Sequence, residues 1–172
     1  VYSETGTRLS ARVRAASSEL LSDYSYSQLD LGAVHSRAVG AKPHQTLQWV
    51  GAGGVYSGGP GSRNAYTLGG SGAMRGYSPD FLEGDSYYYG AVEFLRPIRW
   101  NWLRLLLVAE AGGAARANPV RAIEGETDGS PYASIGVGIR IRFTPFVRVE
   151  IEAGVAWPLR GGEGARFFAG GN

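Results

Sequence analysis

Val147-Arg148-Val149-Glu150-Ile151-Glu152-Ala153 places every apolar side chain at an odd position and every charged one at an even position. Successive side chains of a strand point to opposite faces, so this stretch reads as a β-strand with one aliphatic and one ionic surface. The same period runs through Ile135 to Phe143, where Ile135, Val137, Ile139, Ile141 and Phe143 alternate with Gly136, Gly138, Arg140 and Arg142. Thr7 to Ala15 repeats it, with Leu9, Val13 and alanines set against Arg8, Arg12 and Arg14. The one helical candidate, Ser17 to Leu21, is too short to matter.

Working outward, alternation predicts eight strands at roughly 5–16, 24–38, 44–57, 86–98, 101–114, 131–144, 146–159 and 164–171. Most are longer than the roughly 5–6 residues of globular sheets and match the ~9–11 needed to cross a membrane at a tilt. The links around Pro97 to Asn101, Thr144 to Phe146 and Pro158 to Gly164 look like short turns, whereas Pro60 to Asp85 and Arg116 to Pro131 are long. Trp100, Trp102 and Trp157 fall to the short-turn ends, and Tyr24, Tyr26, Tyr56, Tyr87, Tyr88 and Tyr132 to the long-loop ends. Short turns at one end, long loops at the other and two aromatic belts are the layout of outer-membrane barrels. The expected fold is all-β: an antiparallel transmembrane β-barrel, one domain over 1–172, with a long loop at about 60–85. A secreted soluble sandwich or lipocalin-like barrel that binds a small ligand or partner also alternates, and stays open as an alternative.

Composition narrows the classes. Glycine is abundant, 27 of 172 residues, and Lys42 is the only lysine among 17 basic residues. A net charge of +2 without a Lys/Arg run gives no nucleic-acid footprint. Cysteine is absent, which excludes disulfides and Cys-based zinc sites. The longest apolar run, Leu105 to Ala109, stops at Glu110, so no transmembrane helix is predicted. The chain opens on Val1 without an initiator methionine or signal peptide, which reads as a mature product or an ordered piece of something longer. His35 and His44 lack an acidic partner at ligand spacing, and Gly69-Gly70-Ser71-Gly72 lacks the helix and Lys of a phosphate loop. No cofactor, metal or catalytic group is expected, and the protein is not expected to be an enzyme.

Arg75 sits among glycines that let the backbone turn tightly, and its fork suits a carboxylate. By alternation Glu110 shares a face with Arg104 and Gly112, opposite Leu103, Leu105, Leu107 and Ala109. On spacing alone, a solvated loop arginine is the better account, with Glu110 one member of an ionic face shared with Arg140, Arg142, Arg148, Glu150 and Glu152. The passage Leu68-Gly69-Gly70-Ser71-Gly72-Ala73-Met74-Arg75-Gly76-Tyr77, followed by Gly84-Asp85 and by Glu93-Phe94 in the next strand, adds a further signal. It resembles the BamA/TamA/FhaC superfamily of outer-membrane assembly and secretion barrels (the bacterial surface antigen family), which carries a (V/I)-R-G-(F/Y) motif at the tip of a loop folded into the lumen. A second family motif, F-x-D-x-G, has Val108-Ala109-Glu110-Ala111-Gly112 in its place, with Val for Phe and Glu for Asp.

The resemblance implies that Arg75, Gly76, Tyr77, Glu110 and Gly112 form a loop lock, with Arg75 paired to Glu110. Glu93, Arg140, Arg142, Glu150 and Glu152 are the supporting lumen charges. It implies the C-terminal half of a sixteen-stranded barrel in a bacterial-type outer membrane, serving assembly, insertion or transport of other polypeptides. Some members use the barrel instead to anchor an enzyme domain such as a patatin-like lipase. Eight strands leave an interior filled by side chains alone, too small for the loop. The expected partners are therefore the lipid bilayer, polypeptide clients, and either a second copy or the remainder of a longer barrel chain.

Overall fold

The computed structural model describes residues 5–20, 25–40, 43–58, 66–116, 129–143, 149–162 and 164–171. Eight long strands form one sheet: β1 (Gly6–Ala16), β2 (Tyr26–Ala38), β3 (Thr46–Gly58), β6 (Ser86–Pro97), β7 (Leu103–Ala115), β8 (Tyr132–Phe143), β9 (Val149–Pro158) and β10 (Arg166–Gly171). Two short strands within the long loop, β4 (Tyr66–Leu68) and β5 (Leu82–Gly84), pair with each other. Sheet order is β1-β2-β3-β6-β7-β8-β9-β10, every neighbour antiparallel. All eight strands read from alternation are present, and the fold is all-β. Ser18–Leu20 makes a single 3-10 turn where the weak helical signal lay. The sheet is open among the described residues, with β1 at one edge and β10 at the other.

Register carries the alternation of each strand onto its neighbours, because directly opposed residues share a face. Arg104 lies opposite Arg140, Arg140 opposite Glu152, and Glu110 opposite Ser134. One face therefore collects the charges, and the long loop packs on it. The other collects Leu31, Val55, Val92, Leu107, Ile135, Val137, Ile139 and Ile151, all exposed. Glu93, Arg104 and Glu110 are only 4% exposed while Leu9 is 76% exposed, the inverse of a water-soluble sheet. Leu103, Leu105 and Val149 point the same way as the exposed aliphatics but are half-covered by neighbours. Val147 and Arg148, assigned to opposite faces by alternation, lie outside the described residues, as does Tyr24.

One placement is corrected. Trp157 opposes Ile135 and Pro158 opposes Ser134, near the start of β8 at Tyr132. That is the long-loop end, so Trp157 and the turn after Pro158 sit with the tyrosines rather than with Trp100 and Trp102. An antiparallel chain returns to the same end after every second strand, and β9 ends where β3 and β7 end.

Candidate functional site

The loop re-enters over the ionic face on a stem made by β4 and β5. Gly69 and Gly70, with φ of 141° and 84°, turn it back on itself, and the Gly70 N–H donates to the Tyr77 carbonyl at 3.1 Å. A side chain at Gly69 is impossible, since its Cβ would lie 2.0 Å from the Ser78 carbonyl oxygen. Leu68, Met74, Tyr77 and Leu82 from the loop then bury against Ala114 and Tyr132 of the wall. The Tyr77 hydroxyl lies 2.8 Å from the Ala133 carbonyl and 2.7 Å from that of Arg160, donating to this pair of acceptors across β8 and the turn after β9. Burial pushes its pKa up, so it stays a neutral donor.

This apolar docking aims Arg75 into the charges. Its Nη1 donates to Glu110 Oε2 at 3.0 Å, its Nη2 to Glu93 Oε1 at 2.7 Å, and its Nε to Glu152 Oε1 at 3.0 Å. Its backbone N–H donates to Glu110 Oε1 as well. Glu110 also accepts from Ser134 Oγ at 2.7 Å and Tyr89 Oη at 3.0 Å, so both of its oxygens are occupied. Arg140 closes the ring, donating from Nη2 to Glu93 Oε2 at 2.6 Å and to Glu152 Oε2 at 2.7 Å. The Arg75 side chain is 7% exposed and that of Glu110 is 0% exposed. Burial by itself would lower the Arg75 pKa, but Glu93, Glu152, Tyr89 and Glu110 together carry it above its ordinary value. The guanidinium is therefore a permanent cation held by three carboxylates, with the Phe168 ring 5.6 Å from its Cζ.

Close approach explains the glycines beside it. A Cβ on Gly76 would lie 2.6 Å from Ser134 Cβ and 2.9 Å from the Pro158 backbone nitrogen. One on Gly112 would lie 2.8 Å from the Tyr88 carbonyl and 3.5 Å from Met74 Sδ. Both positions are bare so that loop and wall can touch.

Of the residues singled out from sequence, Arg75, Glu110, Glu93, Arg140 and Glu152 meet in this one cluster. Gly76, Tyr77 and Gly112 lie where the loop meets the wall, Gly76 against Ser134 and Pro158 and Gly112 against Leu68 and Met74. The pairing of Arg75 with Glu110 alone is too narrow, because inward parity also delivers Glu93 and Glu152 to the same guanidinium. Arg142 and Glu150 stand apart as their own pair at 2.5 Å. Tyr89, Ser134 and Phe168 were missed. Parity would have put Tyr89 beside Glu93, but Ser134 needs the β7–β8 register. Phe168 needs the glycine gap at Gly154, whose Cβ would lie 2.6 Å from its ring. Beside the cluster, a concavity of about 750 Å3 is lined by Arg8, Gln48, Ser71, Arg75, Glu150 and Gly170 among others, spanning from β1 to β10.

No family model and no curated protein sequence matches the chain. Among solved structures it is similar to the crystal structure of BamA from Haemophilus ducreyi lacking POTRA domains 1–3, with a TM-score of 0.77 and 14% sequence identity. The alignment covers 99% of this chain and 39% of that one, so the chain spans about two fifths of the BamA structure. At that identity the likeness shows the fold: the eight-stranded antiparallel sheet is a half-barrel of the BamA kind.

Proposed function

We propose that this chain is the C-terminal half of a bacterial-type outer-membrane β-barrel that assembles, inserts or translocates other polypeptides, with the loop around Arg75 as its internal lock. One observation carries the reading. A buried arginine on a loop tip is held by carboxylates from three different strands, on the ionic side of a sheet whose opposite side is aliphatic and exposed. Lipid satisfies the aliphatic side, and a wet lumen satisfies the ionic one. The lock ties β6, β7 and β9 through a single cation, which stiffens the wall and keeps the loop across the pore. Releasing it would open the pore and free the wall to deform, which is what handling a polypeptide requires.

The test is purification in detergent followed by native mass measurement and planar-bilayer recording. The reading predicts a detergent-dependent species larger than one copy of this segment, with conductance that rises in Arg75→Ala. A monodisperse monomer without detergent, silent in bilayers, would favour the soluble alternative.

A further inference from the structure

Among the described strand residues, the aliphatic face carries two arginines and no carboxylate, and both arginines lie at its short-turn end. Register sets Arg37 level with Leu47, Phe94, Leu107 and Val137, and Arg96 level with Leu105 and Ile139. Leu107, Val137 and Ile139 are exposed on the outer face, so Arg37 and Arg96 project outward with them. Each is the last residue but one of its strand, β2 and β6. Arg99 follows in the β6–β7 turn, its Cζ 5.2 Å from the Trp100 ring, and Trp100 stacks on Trp102 at 5.2 Å. All three arginines are exposed, and among the described residues none forms an ion pair. On the ionic face, by contrast, Arg75, Arg140 and Arg142 each hold a carboxylate at 3.0 Å or less.

The sequence extends this polarity around the same end. The segments joining strands there, 39–45, 98–102 and 144–148, contain Lys42, Arg99 and Arg148 and neither Asp nor Glu. Every segment joining the long strands at the opposite end contains an acid. Arg37 and Arg96 are separated by two strand spacings of about 4.8 Å and two residues of about 3.3 Å, so their long side chains can converge on one group. An arginine fork matches the oxygens of a phosphate, and tryptophan settles at the depth of lipid headgroups. Cations facing lipid at that depth, with no carboxylate of their own, complement an anionic headgroup.

We propose that Arg37, Arg96 and Arg99, beside the Trp100–Trp102 stack, bind the phosphate of an anionic phospholipid in the leaflet at the short-turn end. This rests on the barrel reading above, which asks only for apolar lipid against the wall, and adds a headgroup class at a named place.

The chain has no cysteine, so a bimane label on Ile98→Cys reports the turn between Arg96 and Arg99, and one on Val55→Cys reports the aliphatic face at the other end. The labelled protein is reconstituted in mixtures of phosphatidylglycerol and phosphatidylcholine, with one or the other brominated near its headgroup. Quenching at Ile98→Cys should favour phosphatidylglycerol about tenfold at low salt and less as salt rises, while quenching at Val55→Cys should favour neither lipid. The Arg37→Gln/Arg96→Gln/Arg99→Gln variant should bring the preference to within about twofold of none. Arg8→Gln/Arg12→Gln/Arg14→Gln makes the same charge change on the ionic face and should leave the preference intact. Arg37→Gln alone should lower it about twofold, so the test does not hang on the triple variant folding. Equal quenching by the two lipids at Ile98→Cys, the same preference at both labels, or the same loss in both triple variants would overturn the proposal. Quenching at both labels without preference removes only the headgroup site, whereas quenching at neither removes the barrel reading and this inference together.

Discussion

Replacing Arg75 with alanine should free the loop far more than replacing any one of its acids. In the native cluster Arg75 and Arg140 face Glu93, Glu110 and Glu152, a local charge of 2 − 3 = −1. Arg75→Ala leaves 1 − 3 = −2, with Glu110 buried and stripped of its cation. Glu110→Gln leaves 2 − 2 = 0, and Arg75 keeps Glu93 and Glu152. Removing one partner of a buried pair costs about 3–5 kcal/mol. Losing a charge while an amide keeps the Ser134 and Tyr89 contacts costs about 1–3 kcal/mol. Because every 1.4 kcal/mol is about tenfold, the undocked population should rise about 100-fold or more in Arg75→Ala and about tenfold in Glu110→Gln. Limited proteolysis within 66–84, under conditions where docking is fast relative to cleavage, reads that population directly. The double variant should cost clearly less than the sum, because the two residues share one cluster. Full additivity, or cleavage of Arg75→Ala within a few-fold of wild type, would refute the argument that this arginine holds the loop.

Gly76→Ala should undock the loop by about 1–3 kcal/mol through overpacking, because its Cβ meets wall backbone, while Gly72→Ala should be neutral, having nothing within 4 Å; thermal melts of the two compare them. Phe168→Ala should cost about 3–5 kcal/mol and increase loop cleavage, since its buried ring covers both the glycine gap and Arg75. Ile139→Arg, on the exposed aliphatic face, should cost about 2–4 kcal/mol near the bilayer midplane in lipid-vesicle unfolding, and no cost would count against lipid contact.

The strands were legible because a period of two survives any packing, and Ile135 to Phe143 or Val149 to Ala153 need no tertiary knowledge to be seen. The β4–β5 stem was not legible: Tyr66–Leu68 and Leu82–Gly84 are too short to show a period, and they pair only after the loop has folded back. Trp157 went to the wrong end for a reason of counting, since residue type says nothing about which way an antiparallel strand is running. The site divides along the same line. Parity alone sends Glu93, Glu110, Arg140, Glu150 and Glu152 inward. Which of them Arg75 can reach depends on sheet curvature and on the register that sets Arg142 against Glu150 and Arg140 against Glu152. Phe168 belongs wholly to that second category, because its role exists only once β10 pairs with β9 and its ring meets Gly154.

The account turns on which face meets lipid, and strand β3 offers the cleanest place to measure it. Spin labels at Gly51 and Val55 project from the aliphatic side, Gly51 having no atom within 4 Å of its Cβ position, while labels at Gln48 and Val50 line the lumen concavity. In reconstituted membranes, the Gly51 and Val55 labels should relax strongly with oxygen and weakly with a water-soluble nickel chelate. The Gln48 and Val50 labels should show the reverse. Equal nickel access at all four positions would contradict a membrane-spanning sheet.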